Sequence, residues 1–267
     1  MSQPPAGSLP RDVGLGAAAG VISGLLGVGG GILLVPLLVL ALHWQQKKAQ
    51  ATALVLVMMA ALAGVATYAA GGSVAWQPAV IIFCGAVVGA LVGSAAVQRI
   101  HPHWLQIASA VVLVAAAVRL VWPGGAVPES LQDLPALSAG LVVAYVASGL
   151  AMGFLAAMFG IGGGIVLVPV LVTVLDYDQR LAAGTSLAVM APTALVGALR
   201  LTKPGYTSWG RGVRFGLGGA IGAVAGARLG LWLPLDALSW IFAAVLVLTA
   251  AQMLVTGLRG RRTFVSS

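Results

Sequence analysis

Charge is scarce in this sequence. Asp, Glu, Lys and Arg make up 7% of its 267 residues, where a soluble domain carries about 25%. That shortage excludes an ordinary water-soluble globule. Cysteine is scarcer: Cys84 stands alone, in an apolar run, so no intrachain disulfide and no Cys/His cluster can form. The three histidines, His43, His101 and His103, sit at the ends of hydrophobic stretches. His101-x-His103 has no carboxylates beside it, so no metal centre is expected. Zincin, P-loop and nucleophile-elbow motifs are all missing. The expectation is a non-enzyme without cofactor or metal. Acidic residues are missing from the interiors of the hydrophobic stretches, so a carboxylate proton relay is not visible.

What fills the sequence is apolar. Hydrophobic residues reach 60% and mean hydropathy is +1.04. No charge occurs between Leu54 and Arg99. Runs of this kind exceed the ~18 residues that mark a membrane-spanning helix. In hydrocarbon the backbone must bond to itself, which leaves helices or a closed barrel. The runs lack the period-2 alternation of barrel strands. An all-α membrane protein follows, with the lipid bilayer as its surroundings. The net charge of +8 lies in short loops and at the C-terminus, as positive-inside bias requires, and does not indicate nucleic acid. Residues Met1–Arg11 are polar and proline-rich without the basic start of a signal peptide. The first hydrophobic segment is therefore expected to insert and stay.

Glycine is abundant, and one block of it occurs twice. The first copy runs Gly27-Val-Gly29-Gly30-Gly31 with Pro36 behind it, the second Gly160-Ile-Gly162-Gly163-Gly164 with Pro169 behind it, offset by 133 residues. The offset pairs Thr52 with Thr185, Gly64 with Gly197, Gly72 with Gly205 and Trp76 with Trp209. It also pairs Gly85, Gly89 and Gly93 with Gly218, Gly222 and Gly226. Two homologous halves are predicted. The proposed division is a polar tail at 1–12, a first repeat at 13–122, an extracytoplasmic linker at 123–135, a second repeat at 136–258 and a basic tail at 259–267. Each repeat holds four hydrophobic stretches. The stretch Ala136–Leu175 is too long for one crossing; as a single helix it would reach about 60 Å, twice a bilayer core. Three adjacent glycines cost about 1 kcal/mol each in a helix interior. Each half should therefore open with a helix broken at its triple glycine. Five segments per half would make the halves inverted repeats; a single crossing in place of the break would leave four per half and parallel halves, and the charges favour inversion. Of the 14 Lys and Arg residues, that arrangement leaves only Arg119, Arg180 and Arg228 outside. Lys47, Arg99, Arg200 and Arg259 should then be cytoplasmic, and Glu129 and Arg180 outside.

The glycines spaced four apart (Gly16, Gly20 and Gly24; Gly85, Gly89 and Gly93; Gly218, Gly222 and Gly226) read as helix-packing stripes. The triple glycines read as ligand sites. A helix N-terminus presents free N–H groups and positive partial charge, and bare backbone admits close approach. The candidate substrate-binding residues are Gly29, Gly30 and Gly31 with Gln50 and Thr52, and Gly162, Gly163 and Gly164 with Thr185 and Ser186. The alternative for the glycines is tight helix crossing, and for the hydroxyls capping or bonding to the backbone. Arg228 reads as a snorkelling interface residue, with a substrate-attracting charge as the alternative. Discontinuous helices of this kind hold substrate near the midplane in transporters. A small anion is the expected partner. A coupling ion (proton or sodium) and a homo-oligomer are further expectations.

These residues resemble the sulfite exporter TauE/SafE family. The resemblance rests on the two glycine-proline stretches, Ala51-Thr52, Gly184-Thr185-Ser186 and Gly226-Ala-Arg228-Leu-Gly230, and covers about Gly14 to Leu258. It implies a multi-pass permease of the bacterial inner membrane for small sulfur-containing anions such as sulfite or organosulfonates. A channel of the same architecture is the alternative. The halves are unequal: Ala53 stands opposite Ser186 and Ala95 opposite Arg228.

Overall fold

The computed structural model describes residues 8–40, 42–96, 114, 117–118, 137–159, 163–202 and 205–264. The stretch Trp104–Trp122 (apart from 114 and 117–118), the 123–135 linker, Arg99 and Gly162 therefore lie outside the described residues. The described chain is all-helical, without strands. Its helices are α1 (Leu9–Leu26), α2 (Gly31–Leu40), α3 (Gln46–Ala70), α4 (Trp76–Ala96), α5 (Ala139–Phe159), α6 (Gly164–Thr173), α7 (Gln179–Thr202), α8 (Trp209–Trp232) and α9 (Leu235–Phe264). Five of these, α3, α5, α7, α8 and α9, are long and apolar enough to cross a membrane. Their outward surfaces carry residues such as Val143, Ile221 and Leu248, which suit lipid.

The first helix starts earlier than the sequence reading placed it. α1 begins at Leu9, with Pro10 in its first turn, four residues before Val13. Proline there loses no helical bond, because the first N–H groups have no partner anyway. The turn it starts carries Asp12 into the protein, where it is buried.

The 133-residue offset reappears in the backbone. His43 and Asp176 are the only non-glycine residues with positive φ among those described, and they are offset partners. Trp44 N–H donates to the Leu38 carbonyl at 3.0 Å, and Tyr177 N–H to the Leu171 carbonyl at 2.9 Å. Gly72 and Gly205 both close the turn after a long helix with positive φ.

Packing is reciprocal between the halves. α1 lies on α8 and α4 lies on α5, α3 contacts α7 and α8, and α4 contacts α7. In the first pair Gly16, Gly20 and Gly24 face the backbone carbonyls of Phe215, Gly219 and Ala223. Gly218, Gly222 and Gly226 face those of Val13, Ala17 and Val21. In the second pair Gly85 and Gly89 face Val146 and Leu150, and Gly149 and Gly153 face Ile82 and Ala86. Numbers rise together, so both pairs run parallel. Backbones this close exclude side chains and gain Cα–H···O contacts of about 0.5–1 kcal/mol each. The stripes read from sequence as helix packing thus lie on helix interfaces, apart from Gly93, whose surroundings lie outside the described residues.

Tertiary hydrogen bonds define two ends of the bundle. At the first end Thr52 of α3 meets Ser208 before α8, and Asp12 of α1 meets Arg211 of α8. At the second end Thr185 of α7 meets Ala75 before α4, and Arg180 meets Leu233 after α8. α3 therefore begins at the first end and α7 at the second. Tyr68, near the end of α3, donates to the Leu25 carbonyl near the end of α1 at 3.2 Å. Trp44, beyond α2, lies back at the first end against Arg211. The exposed tryptophans Trp76 and Trp232 flank the second end, as an interfacial aromatic belt does.

Candidate functional site

α1 stops where Gly27 turns left-handed, φ 70°, and its N–H bonds back to the Ser23 carbonyl at 2.9 Å. Gly29 follows with φ 79°, and α2 begins at Gly31. In the other half α5 ends at Phe159, Gly163 is left-handed at φ 69°, and α6 begins at Gly164. The new helices start alike. Leu33 and Leu34 donate to the Gly30 carbonyl at 3.3 and 3.0 Å, and Val166 and Leu167 to the Gly163 carbonyl at 3.1 and 3.2 Å. The N–H groups of Gly31 and Gly164 precede these bonds and find no backbone acceptor among the described residues.

The two interruptions meet. A Cβ on Gly164 would collide with the Gly27 carbonyl and Val28 Cα, and with the Met190 sulfur. A Cβ on Gly29 would collide with the Met190 methyl. Met190 is fully buried on α7, between the opening residues of both short helices. Its offset partner is Val57 on α3, which also borders Gly29. Gly30 packs against Ala19 and Leu56, and Gly163 against Met152 and Ala156. Methionine has three rotatable bonds and a polarizable sulfur, and adapts to irregular gaps. The centre is thus occupied by a movable side chain where two positive helix ends approach each other. Sequence reasoning missed Met190, because nothing local marks a methionine in an apolar helix.

The carbonyls freed at the end of α1 are covered by other helices. Tyr68 serves Leu25, as noted, and Ser186 Oγ donates to the Gly27 carbonyl at 2.8 Å, buried. A freed carbonyl inside a membrane must find such a donor. Ala53, opposite Ser186, can offer none. Ser23 Oγ, also buried, has no partner among the described residues.

The threonines act across the halves. Ala75 N–H donates to Thr185 Oγ1 at 3.0 Å, and Ser208 N–H donates to Thr52 Oγ1 at 3.3 Å. Donors and acceptors are both offset pairs. Thr185 and Thr52 stand at opposite ends of the bundle and do not converge on one point. Each lies five residues from Met190 or Val57, about 7.5 Å along its helix. Gln50 is half-buried on the first turns of α3. The structure therefore brings together Gly29 and Gly164 around Met190, with Ser186 one bond away through Gly27, and places Thr52 and Thr185 apart. Arg228 is exposed, as an interface residue would be. Among the described residues no His, Cys, Asp and Glu grouping could hold a metal.

The threonine bonds carry a prediction. Thr52→Val and Thr185→Val should each leave a turn N–H without its acceptor. Each should cost about 1–3 kcal/mol, with similar size in the two variants. Thermal unfolding of the detergent-solubilised variants measures it. A loss confined to Thr185→Val would show that the two bonds are not equivalent.

A second cluster escaped sequence reasoning altogether. Asp12 on α1, Trp44 beyond α2 and Arg211 on α8 gather at the first end. Arg211 Nε stands 3.5 Å from Asp12 Oδ2, and its guanidinium lies 4.7 Å from the Trp44 ring centroid. At the second end the offset partners of Asp12 and Trp44 are Tyr145 and Tyr177. Their hydroxyls share a buried hydrogen bond of 2.8 Å. Desolvation pushes the Tyr177 hydroxyl up, and its bond to Tyr145 adds to this. A cavity of about 370 Å³ lies between α4 and α5, lined by Gly89, Val92, Leu150 and Phe154. Its wholly apolar wall offers an anion nothing.

Comparison with known proteins adds the family. The profile described as "Sulfite exporter TauE/SafE" matches residues 2–120 and 145–266. The chain is similar to the "Probable membrane transporter protein YunE" of Bacillus subtilis (strain 168), 23% identical over 268 residues, covering 91% of this chain and 96% of that one. It is 29% identical over 225 residues to a "Probable membrane transporter protein" of Xylella fastidiosa (strain 9a5c), covering 83% and 85%. A "Probable membrane transporter protein MJ0441" of Methanocaldococcus jannaschii is 25% identical over 205 residues, covering 72% and 71%.

Proposed function

This chain belongs to the sulfite exporter TauE/SafE family of membrane transporters, and on that premise we propose that it carries small sulfur-containing anions such as sulfite or organosulfonates. The observation that carries this is the meeting of Gly29, two residues before α2, and Gly164, the first residue of α6, on buried Met190. Two N-termini turned on one place favour negative charge. No described residue there supplies a fixed countercharge, so a bound anion could leave again. Gly29, Gly30, Gly31, Gly162, Gly163 and Gly164 would contact it by backbone. Ser186 would occupy, by its hydrogen bond, the Gly27 carbonyl that lies beside Gly164. Gln50, Thr52 and Thr185 would line the approaches. Met190 occupies the centre and would swing aside as substrate enters.

The halves act as inverted repeats, each opening with a broken helix, and rock about this centre to expose it alternately. Support comes from α3 and α7, offset partners that begin at opposite ends. The first end is the cytoplasmic one: Lys47, Lys48, Arg200, Arg211 and Arg214 gather there, against Arg180 and Arg228 at the other. The membrane is the bacterial inner membrane, and a proton or sodium ion supplies the coupling. Copies of the chain associate as a homo-oligomer.

Two measurements test this. Proteoliposomes with an imposed ion gradient should accumulate radiolabelled sulfite, thiosulfate, sulfoacetate or taurine above the outside concentration. Flux that only equilibrates would make the protein a channel, and no flux of any of the four would sink the substrate class. For orientation, Gln45→Cys and Val174→Cys in a Cys84→Ala background should label from opposite sides. Labelling from one side would end the inverted-repeat reading.

A further inference from the structure

The ion pair at the first end is built poorly for a structural pair. Arg–carboxylate pairs that serve stability are short and often bidentate, near 2.8 Å. Arg211 reaches Asp12 through one nitrogen at 3.5 Å. Asp12 is 1% exposed and Trp44 5% exposed, so both have left water. Yet Asp12 Oδ1, Arg211 Nη1 and Trp44 Nε1 are all buried without a hydrogen-bond partner among the described residues. Buried polar groups left half-satisfied are costly. Two of the three orphans are N–H donors, and one of those is cationic.

The position is as telling as the chemistry. Asp12 lies in the first turn of α1 and Trp44 just beyond α2, so both limbs of the first broken helix are fastened here to α8. The matching places at the second end carry no acid and no indole: Tyr145 and Tyr177 stand there and share a hydrogen bond, while Arg180 donates to the Leu233 carbonyl.

We propose that Asp12, Trp44 and Arg211 form an anion-operated latch at the first end, in which a small oxyanion takes Arg211 from Asp12. Resting on the anion-transport reading above, this makes Arg211 Nη1 and Trp44 Nε1 the donors that first receive substrate. The anion offers the guanidinium several oxygens where Asp12 offers one long contact. Released from Arg211, α1 and the exit of α2 can part from α8 and open the path to Met190. Asp12 is the competitor that closes the latch when no anion is present.

The test compares four proteins in proteoliposomes: the wild type, Arg211→Gln, Asp12→Asn and the double variant. Radiolabelled sulfite and thiosulfate uptake and thermal stability are measured on each. Arg211→Gln should raise KM about 10-fold or more. Asp12→Asn should lower KM, because the competitor is weakened. The double variant, which buries no unpaired charge, should regain stability but keep the raised KM. Recovery of both stability and wild-type KM in the double variant would overturn the latch and leave a merely structural ion pair. Absence of uptake by the folded wild type would overturn the anion reading itself, and the latch with it.

Discussion

Gly164→Ala should abolish transport, and shortening Met190 should not restore it. A Cβ at Gly164 meets the Gly27 carbonyl and Val28 Cα besides the Met190 sulfur. The first two are backbone and cannot turn away. Gly29→Ala should also inactivate the protein, but for a different reason. There the close neighbour is the Met190 methyl, the far end of a flexible chain, with Val57 at ordinary contact distance. The remaining cost is the left-handed backbone at φ 79°, about 1–2 kcal/mol for a residue with a Cβ. Gly29→Ala combined with Met190→Val should therefore recover a measurable part of the activity. Valine is chosen because it is the residue that Val57 provides in the other half. Uptake is normalised to the folded fraction. Full activity of Gly164→Ala would show that the two helix starts do not need their close approach.

Gly222→Leu should prevent stable folding outright. Gly222 lies against the Ala17 carbonyl, between Gly218 and Gly226 on the same stripe. A leucine would drive α8 from α1 along its whole length and forfeit every backbone contact between them. Fluorescence-detected size exclusion should show little monodisperse protein. Gly14→Leu is the control: it lies on α1, is exposed and has open space beside it, so its yield should match the wild type. Equal loss in both would mean that the loss does not come from the α1–α8 contact.

The sequence disclosed what repeats and what is periodic. Glycines four apart marked the two parallel interfaces, because a stripe on a helix has a fixed spacing. The offset anticipated a likeness that runs down to single hydrogen bonds, such as those of Trp44 and Tyr177. What stayed hidden depends on partners far away in the chain. Asp12 reads as part of a polar tail until α1 is seen to start at Leu9. Ser8 and Pro10 are ordinary helix-start residues and were the available signal. Its partner Arg211 is 199 residues away, and no local pattern joins them. Thr52 and Thr185 were legible as polar residues in apolar helices, but their bonds to turns of the opposite half were not. A hydroxyl's partner is set by how helices cross.

Those bonds bear on how the protein is made. When the ribosome has completed α4, the turn before it has an Ala75 N–H whose acceptor, Thr185, has yet to be synthesised. α1 is inserted first, but its packing partner α8 comes nearly last. Neither half can finish as a separate unit, so assembly waits for the end of translation, with unpaired glycine faces held meanwhile by lipid or the insertion machinery. The two halves expressed from separate genes should therefore need each other's presence to survive quality control.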